Sequence, residues 1–320
     1  MKNYLSLLKA QAEKNAAPVA AWIINNLPEG TAYYFDETGN LFVTRGTGLQ
    51  PCIVAHMDTV QTPDRLKMFR ERNGKIYGLL HKQQTGIGAD DKNGIYIALE
   101  AFKKTAKPLT LLFTHGEETG CIGATAVKGT DVKNIAYFLE FDRKGAGDII
   151  DYGSKEFISE VSKIGKSYGY KTAPGLFTDV ATLSRMQGIS AVNLSCGYYN
   201  HHTPQEFTMW QELQNALQFC LALLEKLPLR KYQYEYTHPA SYNYYGYTGK
   251  WSDRQPSKYS KYNYCDYCGQ FTEIETIKGI GMICEDCKEE YKTSIEDLIN
   301  TDPTDDELNY YNKLKDEDWY

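Results

Sequence analysis

Leu109-Thr110-Leu111-Leu112-Phe113-Thr114-His115-Gly116-Glu117-Glu118-Thr119-Gly120 is the stretch on which the fold turns. Its first five residues form a near-continuous apolar run, the pattern of a strand in a sheet covered on both faces. Two adjacent carboxylates between glycines follow at once, so polar chemistry begins where the strand ends. Two other segments repeat the arrangement: Cys52-Ile53-Val54-Ala55 leads into His56-Met57-Asp58, and Ile135-Ala136-Tyr137-Phe138-Leu139 into Glu140-Phe141-Asp142. A fourth strand, Ala191–Ser195, comes soon before His201-His202-Thr203-Pro204.

Helical patterns lie between and around these strands. Apolar spacing predicts helix over residues 2 to 27, closed by Pro28-Glu29-Gly30, and again over 94–102, 122–127, 157–168, 177–186 and 209–227. Short strands are expected at 32–35 and at 41–44, after the Gly39-Asn40 turn. Strands alternating with helices predict an α/β three-layer sandwich with a mostly parallel, mixed central sheet. Ligand sites in such sheets gather outside the carboxyl ends of strands. Four polar clusters therefore converge on one rim. The fifth, Gly88-Ala89-Asp90-Asp91-Lys92, opens a helix.

A chain of 320 residues has room for a full core and for more than one domain. A hydrophobic content of 42% and a charged content of 24% are those of a soluble globular protein. The net charge of −6 gives no electrostatic reason to expect nucleic acid as a partner. No run approaches the roughly 18 apolar residues of a membrane span, and the N-terminus lacks a signal-peptide pattern. Cys52, Cys121, Cys196 and Cys220 stand singly, as buried free thiols do. A cytoplasmic protein is expected.

The clusters together supply imidazoles and carboxylates suited to a two-metal hydrolytic site. Two ions about 3.5–4 Å apart need a bridging carboxylate, and Asp90, at the end of a Gly-rich turn, is the choice. One aspartate could instead be a helix cap, but a pair behind Gly-Ile-Gly-Ala asks for more. Alternation along the strand end places His56 and Asp58 on one side, so Asp58 can accept the imidazole's other N–H and fix its tautomer. An ordinary strand-end histidine is the bland alternative. Of Glu117 and Glu118, one should bind metal and the other handle protons. Glu140 and Asp142 both fit the strand-end carboxylate. Asp142 is favoured because Asp-Arg-Lys-Gly reads as a turn leaving the strand. His115 and His81 are read as structural or surface residues, with His81 able to line the cleft.

The strings His-Met-Asp-Thr-Val, Gly-Ala-Asp-Asp-Lys, Gly-Glu-Glu-Thr-Gly and His-Thr-Pro-Gln-Glu resemble the co-catalytic dizinc peptidases of the M20 and M28 families, which include tripeptidases, aminopeptidases and related aminoacylases. The resemblance covers residues 1 to 228. It implies a zinc-dependent exopeptidase fold with two active-site zincs, or another divalent cation in their place. His56 and Asp142 would hold one ion, Glu118 and His202 the other, with Asp90 bridging. His202 is preferred to His201 because the family's histidine directly precedes the small residue and proline. Glu117 would be the general base for a zinc-activated water and Asp58 would orient His56. The substrate would be a short peptide, with an N-acyl amino acid, cleaved by the same mechanism, as the alternative. M20 enzymes usually insert a lid of about a hundred residues between the fourth and fifth clusters. Here 59 residues separate Asp142 from His202, so no lid is expected.

The composition changes after Leu227. Residues 229 to 262 form a Tyr-rich linker or strap, and ten tyrosines fall between 231 and 264. A small module at 263–295 holds Cys265, Cys268, Cys284 and Cys287 in C-x2-C…C-x2-C spacing, which predicts one structural zinc in a zinc-ribbon-like knuckle. Its first reading is a metal staple for a segment too small to fold alone; a docking module for a protein partner is the second. Residues 296–320 are acidic. A non-catalytic adaptor working through this tail is the rival from another class, and the intact ligand set argues against it.

Overall fold

Alternate residues of the central strands enter two different cores, which is how the sheet comes to be covered on both faces. The computed structural model describes residues 1–10, 17–60, 68–175 and 177–235, and in the C-terminal part 262–264, 271–277, 281–285 and 288. Two compact units are present, Met1–Ser241 and Tyr242–Tyr320.

The first unit runs α1 (Lys2–Ala10), α2 (Ala17–Asn25), β1 (Ala32–Phe35), β2 (Leu41–Arg45), β3 (Gln50–His56), β4 (Met68–Arg72), β5 (Lys75–Leu80), β6 (Gln83–Thr85) and α3 (Ala89–Lys104). It continues with β7 (Leu109–Thr114), α4 (Ile122–Ala126), β8 (Ile135–Arg143), β9 (Asp148–Tyr152), α5 (Lys155–Gly165), β10 (Lys171–Ala173) and α6 (Asp179–Gln187). Then come β11 (Ala191–Ser195), β12 (Tyr198–Tyr199), β13 (Phe207–Met209) and α7 (Trp210–Lys226). The predicted long helix is thus α7 almost to the residue. The first predicted helix is seen as α1 and α2, with 11–16 outside the described residues.

Eight strands form the main sheet in the order β1-β2-β7-β3-β8-β11-β9-β10. The run β7-β3-β8-β11 is parallel, whereas β1, β2 and β9 pair antiparallel to their inner neighbours. Ile53, Ala55, Leu111 and Phe113 face a large core with α1, α2, α3, α5 and α7, and Cys52, Val54 and Leu112 face a smaller one with α4 and α6. The result is a three-layer α/β sandwich with a mixed, largely parallel sheet.

Residues 143–201 build β9 to β11, α5 and α6, which belong to these layers, and β12, which joins a second sheet; among the described residues they make no separate lid. A second sheet, β12-β13-β5-β4 with β6 on β5, was not foreseen. Its strands are short: β12, β13 and β6 have two or three residues each, and four of the five residues of β4 are exposed, so no long apolar alternation marks them. Another correction concerns β8. The expected turn at Asp142 is still strand, for β8 runs on to Arg143, which pairs with Ser195.

The chain after α7 docks back on this unit. Tyr232 is buried against Tyr137 and Phe157, its N–H donates to the Ala136 carbonyl, and its carbonyl accepts from Ser190 N–H. In the second unit, β14 (Tyr262–Tyr264), β15 (Phe271–Ile277) and β16 (Gly281–Cys284) form an antiparallel sheet. Cys265, Cys268 and Cys287 lie outside the described residues, as do the side chain of Cys284, most of the Tyr-rich segment and the acidic end. The four lone cysteines are all buried free thiols.

Candidate active site

The carboxyl ends of β3, β7, β8 and β11 carry the polar clusters, and the start of α3 meets them there. His56 ends β3 and is fully buried. Its Nδ1 faces the Asp58 carbonyl at 3.2 Å and the Asp58 carboxylate at 3.5 Å. The expected carboxylate partner is therefore the more distant of two acceptors on one residue. Either one fixes a proton on Nδ1 and turns the Nε2 lone pair into the site. The Asp58 carboxylate has further work: Oδ1 accepts from Glu117 N–H at 3.3 Å and Oδ2 from Glu118 N–H at 3.2 Å. It ties the His56 loop to the Glu-Glu turn.

His56 Nε2 lies 3.0 Å from Asp90 Oδ1, 3.8 Å from Asp142 Oδ2 and 4.0 Å from Glu117 Oε2. On the other side, His202 Nε2 lies 3.3 Å from Asp90 Oδ2 and 2.9 Å from Glu118 Oε2. One carboxylate thus presents an oxygen to each of two imidazoles, and each imidazole has a further carboxylate beyond it. The structure brings His56, Asp58, Asp90, Glu117, Glu118, Asp142 and His202 together. Asp90, His201 and His202 also offer atoms within 4.8 Å of one another, so His201 is in ligand range as well. Glu140 is not in these groups: it is fully buried and accepts from Thr178 Oγ1 at 2.5 Å. His81 is exposed and does not line the cavity.

Asp90 and Asp91 divide the two roles weighed for them. The peptide bond between them is cis, and both depart from helical backbone angles. Asp91 Oδ1 accepts from Gly94 N–H at 2.9 Å and so acts as a helix cap. Asp90 points into the site.

Burial would raise the Asp90 carboxyl, but hydrogen bonds with His202 and His56 outweigh it and hold the group below its ordinary value. Glu117, Glu118 and Asp142 are pushed up, first by burial and then by neighbouring carboxylates. His202 is raised to about 10 by Asp90 and Glu118. His56 rises despite its burial, because Asp58, Asp90 and Asp142 surround it. Imidazole lone pairs that face only carboxylate acceptors need a positive charge between them. Protons supply it in the bare chain; divalent cations fit the same donor set, since carboxylates and neutral imidazoles are their ordinary ligands.

Two supports had little sequence signal. Glu206, fully buried, accepts from Ile87 and Gly88 N–H on Oε2, each at 2.7 Å, and from Asp90 N–H on Oε1 at 3.2 Å. It carries the turn that presents Asp90, and burial with the nearby Asp90 charge raises its carboxyl to about 7. Lys92, also fully buried, donates to the Met57 carbonyl at 3.2 Å; burial lowers its ammonium. Both stood inside quoted motifs, yet only the folded geometry gives them partners.

A cavity of about 250 Å³ opens on this cluster, with Ile150, Tyr152 and Phe177 among its walls.

Residues 52–150 match Peptidase family M20/M25/M40. The matched stretch holds His56, Asp58, Asp90, Glu117, Glu118 and Asp142 and stops short of His202. No curated protein matches the chain. Among solved structures, the aminopeptidase PepT from Bacillus cereus ATCC 10987 superposes with a TM-score of 0.61 at 16% identity, over 70% of this chain and 97% of that one. A tripeptidase from Staphylococcus aureus subsp. aureus Mu50 gives 0.57 at 16% identity, over 70% and 96%. An aminopeptidase from the archaeon Desulfurococcus kamchatkensis gives 0.52 at 17%, over 69% and 94%. At such identities the likeness is one of fold.

Proposed function

We propose that the chain is a metal-dependent exopeptidase that hydrolyses short peptides, with Glu117 as general base. The observation that carries this reading is Asp90 set between the Nε2 atoms of His56 and His202, with Glu117 beside the pair. His56 and Asp142 would hold one divalent cation, Glu118 and His202 a second, and Asp90 both. Bound there, such ions polarise a scissile carbonyl and lower the pKa of a coordinated water. The chain's own residues supply the rest. Asp58 holds the His56 tautomer and the Glu117–Glu118 turn in register. Glu117 has the Cys121 thiol 3.9 Å from its Oε1 and His56 Nε2 4.0 Å from its Oε2, both beyond the range of a strong hydrogen bond, so it is suited to take a proton from the attacking water and return it to the leaving amine.

The family match and the aminopeptidase and tripeptidase names of the structural neighbours support peptides as substrates. A small cavity supports action at a chain end. Cys265, Cys268, Cys284 and Cys287 are proposed to hold one structural zinc, and the free thiols suit a cytoplasmic setting. Among the described residues no helix is long and apolar enough to cross a membrane.

Glu117→Gln tests the assignment. Zinc-loaded wild type should cleave members of a di- and tripeptide panel, while the variant binds the same metal and loses at least a hundredfold in turnover. Comparable turnover by the variant would remove Glu117 from its role. Cleavage confined to N-acyl amino acids would change the substrate and leave the mechanism.

A further inference from the structure

Arg143 and Lys144 follow Asp142 directly, at the end of β8, and both line the cavity above the site. The other charged walls are Asp90, Glu117, Glu118 and Asp142, the carboxylates assigned to the cations and to proton transfer. Among the described residues lining the cavity, Arg143 and Lys144 are the two permanent cations. We propose that they form a subsite for a carboxylate of the substrate, an inference that rests on the peptidase reading and names its substrate as one that carries a free carboxylate beside the scissile bond.

The geometry suits that ligand. Arg143 Nε donates to Asp148 Oδ2 at 3.4 Å, which steadies a guanidinium that has five N–H donors in all. Both partners are about two-thirds buried, at 28% and 30% exposure. A planar fork of this kind matches a carboxylate with two parallel hydrogen bonds, and an ammonium adds a point charge. With the four acids of the wall engaged by the proposed cations and by proton transfer, Arg143 and Lys144 are the charged groups of the wall left to meet a carboxylate. Size narrows the ligand further. A cavity of about 250 Å³ is smaller than the roughly 300–1,000 Å³ that accommodates drug-sized ligands. One residue on one side of the scissile bond fills it, against Ile150, Tyr152 and Phe177. Two sources can bring the carboxylate there: the free C-terminus of a dipeptide, or the side chain of an N-terminal Asp or Glu.

The test uses the full chain, zinc-loaded and carrying Glu117→Gln so that bound peptide survives. Calorimetry compares Ala-Ala with Ala-Ala-amide, and Glu-Ala-amide with Gln-Ala-amide. In one pair the acid should bind at least tenfold tighter than its neutral partner, the scale of one charged hydrogen bond. The first pair points to the C-terminus, the second to the side chain. Arg143→Gln should cut that ratio about tenfold. Lys144→Glu, an exposed change the fold tolerates, should cut it severalfold with a steeper loss at low salt. Equal binding within both pairs, or a ratio that survives the double variant, overturns the subsite. An acid preference that the variants erase, in a chain whose wild type cleaves neither the peptide panel nor N-acyl amino acids, upholds the subsite and fells the hydrolytic reading.

Discussion

Glu206→Ala should destabilise the N-terminal unit by about 4 kcal/mol, far more than any deletion of a surface glutamate. The figure follows from three backbone donors. Ile87 and Gly88 N–H each lie 2.7 Å from Oε2, and Asp90 N–H lies 3.2 Å from Oε1. A buried donor stripped of its acceptor costs about 1–3 kcal/mol. Two short bonds at the middle of that range give about 4 kcal/mol, while water entering the vacated space can serve the weaker third donor. Glu206→Gln keeps one oxygen for the Ile87 and Gly88 donors but turns an amide N–H2 toward Asp90 N–H, so roughly half the loss is expected. Urea unfolding of the metal-free protein, followed by tryptophan fluorescence, reads both variants. At a slope of about 2–3 kcal/mol per molar, the midpoint should fall by about 1.5 M for alanine and half that for glutamine. An alanine variant within 1 kcal/mol of wild type would refute the reasoning. So would a glutamine variant that falls as far as alanine, since the order depends on the acceptor that glutamine retains.

Asp58→Asn places an amide N–H2 where the carboxylate accepts from Glu117 and Glu118 N–H; zinc affinity, measured by chelator competition, should weaken about 10–100-fold. Unchanged affinity would leave the backbone carbonyl of Asp58 as the sole orienting partner of His56. Tyr232→Ala empties a buried site against Tyr137 and Phe157 and should cost about 3–5 kcal/mol by denaturant unfolding. An unmoved midpoint would refute a stabilising role for that packing.

The central strands were legible because burial on both faces leaves a plain apolar run, as in Leu109–Phe113. The helix α7 was legible because its apolar positions recur at helical spacing over seventeen residues. The second sheet was not. Lys75–Leu80 and Phe207–Met209 pair through their backbones, and backbone hydrogen bonds leave no mark on the side-chain pattern. The same limit hid Glu206, whose three partners are all main-chain N–H groups. Within the site, local readings went astray by small amounts: Asp142 lies in strand, not turn, because pairing with β11 extends β8. Asp90 and Asp91 looked like a pair with one purpose, yet Asp91 caps the helix and holds the His56 backbone while Asp90 faces the second imidazole as well.

Topology explains why clusters so far apart in sequence share one place. After β3 the chain crosses through α3 to β7 on one side, then returns past β3 to β8 on the other. The carboxyl ends of β3 and β8 therefore part at a switch point, where connections leave in opposite directions and a crevice opens. His56 and Asp142 stand on its two lips, 3.8 Å apart at Nε2 and Oδ2. Glu117 and Glu118 arrive from the end of β7, and His202 from beyond β11. Asp90 is the exception, since no strand delivers it; it comes from the turn into α3, held by the carboxylate of Glu206. That glutamate lies four residues after His202 and ties both sides of the site to a single segment. A shift of the His202 loop must therefore move Asp90 as well. The two imidazoles and the carboxylate between them are positioned as one unit, so a change at Glu206 should be felt at both proposed cations together and not at one alone.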